Sequence, residues 1–89
     1  MMYPYLTFAN GIKVTHSSIL NTEGKETIEV HFERPIDNGF QSARCVLPDY
    51  TWKFNDGFTP DDIAQFEIFL KNNAHLFFKF AKQGGILSA

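Results

Sequence analysis

The chain has little cysteine, little proline and no long apolar run. Its single cysteine, Cys45, excludes an internal disulfide framework and suits a reducing compartment. No apolar stretch approaches the ~20 residues needed to span a bilayer, so no membrane role is expected. Met1-Met2-Tyr3-Pro4 carries no basic segment ahead of an apolar core, so a secretory signal is not expected and the expected location is cytoplasmic. Charge of one sign is also scarce: the net charge is −2, which argues against a general polyanion binder. Repeats, low-complexity tracts and like-charge blocks do not occur. Neither does any His-x-x-x-His, Cys-x-x-Cys or His-Glu-x-x-His spacing, and no glycine-rich phosphate loop opens a helix. No metal or other cofactor is therefore expected.

What the chain does have is rings. Ten of its 89 residues are Phe, with three Tyr and one Trp besides. Each buries ~150–250 Å² when enclosed, a large load for one small core. The length fits a single domain, residues 1–89.

Strand-like alternation comes first and one helical region follows, which reads as α+β: an antiparallel four- to five-stranded β-meander with a C-terminal helix on one face. The first strand covers 3–8 and the second starts at Ile12. A two-residue Asn10-Gly11 turn would set Leu6 and Phe8 on one face with Lys13 and Thr15. A three-residue loop with Gly11 left-handed pairs Phe8 with Ile12, Leu6 with Val14 and Tyr5 with Thr15, giving one apolar and one polar face. Burial selects the second register. The second strand then runs over 12–20 with Ile12, Val14, His16, Ser18 and Leu20 inward. The third, 26–34, turns Ile28, Val30 and Phe32 inward, and Pro35 is expected to end it. The fourth, 40–47, turns Ala43, Cys45 and Leu47 inward. Residues 50–54 alternate Tyr50, Trp52 and Phe54 with polar residues, as a short fifth strand or an extended lead into the helix.

Helix signals are strong at both ends of 60–83. Thr59 is placed to cap, Pro60 suits the first helical position, and Asp62 stands where a capping box wants an acceptor. Phe58 and Ile63 are placed as a hydrophobic staple. Gly84-Gly85 supplies the stop. A straight helix of this length spans ~36 Å, more than the ~30 Å expected for so small a body. Two outcomes follow: a break at Asn72-Asn73, or an overhang covered by a second copy. The predicted core holds Leu6, Phe8, Val14, Ile28, Val30, Phe32, Cys45, Leu47, Phe66, Leu70 and Phe77.

The helical face carries the functional expectation. Ile63, Phe66, Leu70, Ala74, Phe77 and Ala81 form one stripe, and Phe69, Leu76 and Phe80 form a second beside it. Together they exceed the arc that one sheet covers, so the second row has no evident partner in the chain. Residues 49–67 are acidic and the last nineteen residues are basic, which suits a protein partner or a self-complementary dimer. The expected function is a non-catalytic interaction module, self-associating as a homodimer through Phe69, Leu76, Phe80, Lys79 and Lys82. The alternative is nucleic-acid binding through the lysine-bearing helix end, where Phe78 and Phe80 would supply stacking surfaces.

Candidate chemistry is thin by comparison. His16 reads as a buried core histidine, and His31 between Glu29 and Glu33 as a solvated trio. His75 lies near Lys71 and Lys79, which suits no metal. Cys45 reads as a small hydrophobe. Asp61 and Asp62 are explained by the positive end of the helix dipole.

Overall fold

The computed structural model describes residues 2–84. Six strands precede one helix: β1 (Met2–Thr7), β2 (Lys13–Ser17), β3 (Leu20–Thr22), β4 (Lys25–Ile36), β5 (Gly39–Leu47), β6 (Thr51–Asp56) and α1 (Pro60–Gln83). They form an antiparallel sheet in the order β1-β2-β4-β5-β6, with short β3 paired to β4 beside this path. This is the expected α+β meander followed by a C-terminal helix.

The first hairpin closes with the three-residue loop. Phe8 donates its N–H to the Ile12 carbonyl at 2.8 Å, Leu6 faces Val14, and Gly11 sits at φ 89°, a region costly for any residue with a Cβ. Further back the pairing departs from expectation. Pro4 faces Thr15, so Tyr5 is an extra residue in a bulge. A bulge re-aims the side chains around it. Tyr5 accordingly lies under the helix, its ring 4.3 Å from that of Phe77, while Leu6, expected in the core, is 38% exposed.

The predicted continuous strand over 12–20 is broken. His16 pairs with Val30 and Leu20 with Thr27, so the register advances by one residue between them. Ser17 fills the gap, its Oγ accepting the Glu29 N–H at 2.9 Å. Ile19 rather than Leu20 packs against the core as a result. At the next turn Glu23 and Gly24 both take positive φ, the signature of a two-residue hairpin whose twist matches the strands.

Pro35 does not end its strand. β4 continues to Ile36, with Pro35 facing Phe40. The partner on the other side, β2, stops opposite Glu33, so Pro35 lies where β4 is an edge, a position that tolerates a missing donor.

Residues 50–54 contribute to a true strand, but its alternation is reset. Arg44 faces Phe54 and Cys45 faces Trp52, leaving Lys53 as a bulge. Trp52 therefore packs inward, while Phe54 emerges on the outer face, 42% exposed.

Between sheet and helix the core is nearly dry. Cross-strand pairs Phe32/Ala43, Val30/Cys45 and Ile28/Leu47 are wholly buried, and Phe66, Leu70, Phe77 and Ala81 descend onto them from α1. Phe32 and Phe66 stack at 4.2 Å and 9°, and Phe58 meets Phe66 edge-on at 5.0 Å. Such ring geometries add about 0.5–1.5 kcal/mol per pair beyond area burial.

The helix entry matches its sequence. Thr59 Oγ1 accepts from the Asp62 N–H, and Asp62 Oδ2 accepts from the Thr59 N–H, completing the capping box. Asn55 fixes the approach by bonding both the N–H and the carbonyl of Phe58. Gly84 closes the other end at φ 79°. No break occurs at Asn72-Asn73, because Asn73 has another use. Its Oδ1 accepts the Tyr5 hydroxyl at 2.8 Å, and its Nδ2 donates to the Phe69 carbonyl one turn back. The helix runs unbroken because the body is elongated: its longest extent is 38 Å, against ~36 Å for twenty-four helical residues.

Candidate functional site

The groups that could do chemistry lie apart. His16 is wholly buried on the inner face. Its Nδ1 stands 2.9 Å from the Ser17 carbonyl and so carries the proton and donates, and rings of Tyr3, Tyr5 and Phe77 surround the imidazole. Nε2 has no hydrogen-bond partner among the described residues. Cys45 is on the same face, but Val30 stands between them in the strand order. Two inter-strand spacings, about 9–10 Å, keep the imidazole beyond hydrogen-bond reach of the thiol. Burial, helped by the Glu67 carboxylate, pushes the Cys45 thiol up to about 12. It is therefore a protonated, enclosed thiol rather than a nucleophile at neutral pH.

The outer face carries a separate polar network. Glu29 accepts from Lys53 Nζ at 2.8 Å and from Arg44 Nη1 at 3.1 Å. The Lys53 hydrogen bond is the main cause holding the Glu29 carboxyl below its ordinary range, with the charges of Lys53 and Arg44 assisting and partial burial opposing. His31 lies 3.5 Å from Glu33 through Nε2, and its Nδ1 accepts from Arg44 Nε at 3.4 Å. Arg44 also covers the Phe54 ring at 5.9 Å. Glu29 is thus matched by two cations, in a lateral polar web across three strands. Among the described residues no group of three or more His, Cys, Asp or Glu is placed to hold a metal ion.

The interaction residues expected from the sequence sit along α1. Phe69, Leu76 and Phe80 are half-buried and mark the flank toward β1; Lys79 and Lys82 are exposed. Part of the supposed ring surplus does have a partner in the chain. Phe69 contacts the rings of Tyr5, Phe8, Phe32 and Phe77, and Phe80 lies 6.1 Å from Tyr5. Edge strand β1, through its bulge, supplies what the sheet alone would not. Phe78 and Phe80, two positions apart, point to opposite flanks, and Phe78 packs against the core. The helix therefore does not gather them into one stacking platform.

An open groove of ≈ 470 Å³ lies on the β1-side flank, lined by Phe8, Asn10, Gln65, Phe66, Ile68, Phe69 and Asn72. Sequence reasoning singled out Phe69 but not Ile68, which is 55% exposed. The signal was available: Ile68 lies ~160° around the helix from wholly buried Leu70, a large apolar side chain on the solvent side. The groove's floor is built by the hairpin, since the three-residue loop aims Phe8 at the helix and brings Asn10 to the rim.

Comparison with known proteins returns no match: no family model, no curated protein and no solved structure matches the chain. Among the described residues no helix is long and apolar enough to cross a membrane.

Proposed function

We propose that this chain is a small non-catalytic interaction module of the cytoplasm that self-associates through the β1-side flank of α1. The supporting observation is the open groove beside Phe8, Ile68 and Phe69, where Ile68 stays more than half exposed. An apolar surface rimmed by polar side chains, here Asn10, Gln65 and Asn72, is the usual form of a protein-binding site. The enclosure of Cys45 and His16 and the pairing of the outer-face charges favour a binding role over a catalytic one.

Sedimentation velocity over a wide concentration range tests this. The wild-type chain is expected to shift toward a dimer as concentration rises, and Ile68→Asp to stay monomeric with an unchanged circular dichroism melt, since that side chain lies mostly in solvent. A wild-type chain that remains monomeric at millimolar concentration overturns the reading.

A further inference from the structure

The open flank also carries an ordered charge pattern. Asp61, Gln65, Ile68, Asn72, Leu76 and Lys79 follow one another at intervals of four and three residues. That spacing places them on a single stripe of the helix. All are exposed except half-buried Leu76, so the stripe runs along the solvent side of α1 from its acidic to its basic end. Asp61 and Lys79 are eighteen positions apart, which is five full turns, and so project in the same direction at the two ends of a ~27 Å line. Acidic Asp61, Asp62 and Glu67 occupy the first half of the helix, basic Lys79 and Lys82 the second, and Lys71 stands at its middle.

We infer that the occupant of this flank is a second copy of the chain, docked antiparallel about a two-fold axis that crosses α1 at the level of Leu70. The inference rests on the self-association reading and specifies its geometry. A two-fold perpendicular to the helix lays the acidic half of each copy on the basic half of the other and sets Asp61 beside the second copy's Lys79, twice. It also sets Ile68 of each copy opposite Asn72 of the other and brings Leu76 over Gln65, at the N-terminal end of the groove. A parallel, in-register pair would place Asp61 on Asp61 and Lys79 on Lys79, which electrostatics disfavours. The antiparallel arrangement is isologous, the form that closes on itself rather than growing into filaments.

Charge-swapped variants test the orientation. Lys79→Glu alone and Asp61→Lys alone each turn two attractive contacts into repulsive ones and should weaken self-association on the order of tenfold. An equimolar mixture of the two restores both attractions, and the heterodimer should form near wild-type affinity, read by native mass spectrometry and sedimentation. Circular dichroism melts of each variant separate weakened association from weakened folding. If the mixture associates no better than either variant alone while Ile68→Asp still dissociates the wild type, the antiparallel pairing falls and the self-association reading stands. If the wild type never associates, both fall.

Discussion

The two edge strands each carry one bulge, with opposite results. In β1 the bulge at Tyr5 adds a ring to the interior, so that Tyr5 and Phe8 both reach the helix. In β6 the bulge at Lys53 removes one: Trp52 stays inside and Phe54 is turned to the outer face. The poorer edge is nevertheless the better sealed. Trp52 packs inward and ends in a hydrogen bond from its indole N–H to Glu67 at 2.9 Å, and Lys71 lies over the Tyr50 ring at 6.0 Å. The β1 edge has more rings but leaves a groove, because its rings pack beneath the helix and leave Ile68 above them. Ring count does not measure closure; placement does.

The largest expected effect is at the rings shared with β1. Phe77 is wholly buried and touches Tyr5, His16 and Phe69. Phe77→Ala should cost roughly 3–5 kcal/mol in urea unfolding. A loss below ~1 kcal/mol would show that β1 does not depend on the helix for its packing.

The two polar latches permit a direct contest. Trp52→Phe deletes a hydrogen bond to a carboxylate and should cost about 1.5–3 kcal/mol. Tyr5→Phe deletes a neutral bond to Asn73 and should cost about 0.5–1.5 kcal/mol. The reverse order in thermal melts would mean that β1, not β6, is the tighter edge.

Alkaline pH sharpens the comparison further, because each edge shields a group whose ionisation burial opposes. Cys45 faces Trp52 and its thiol is pushed up to about 12. Burial likewise raises the Tyr5 phenol above its ordinary value. In the unfolded chain a thiol ionises near ~8.5 and a phenol near ~10. A group whose folded value is raised stabilises fully below its unfolded value and loses that contribution as pH rises toward the folded one. Stability should therefore decline from about pH 8.5 upward, first through Cys45 and then through Tyr5. Labelling of Cys45 by a thiol reagent should be slow in the native protein and faster in Trp52→Phe; equal rates would show that Trp52 does not guard it.

Much of this was legible residue by residue. The inward sets of β4 and β5 follow from alternation, and nine of the eleven predicted core residues are buried, the exceptions being Leu6 and Phe8. The caps of α1 sit on Thr59, Asp62 and Gly84 as local chemistry requires. The site was legible only in part. Phe69, Leu76 and Phe80 were visible as a second stripe, but that Phe69 would meet Tyr5 and Phe8 depends on a bulge in a strand some sixty residues away. Asn73 shows the same limit: a poor helix former by itself, it is retained in the helix by a hydroxyl from β1.

The sequence by itself determined the class of fold, the hairpin loop at Gly11, the two ends of the helical region and the apolar periods of the central strands. These depend on neighbours within one turn or one strand, where local sterics and alternation operate. Tertiary structure alone decided the bulges at Tyr5 and Lys53, the register step at Ser17, the continuation through Pro35 and the groove beside Ile68. Each turns on which strand lies alongside and where the helix rests, and a one-residue slip that reverses a side chain's face costs nothing visible in the local pattern.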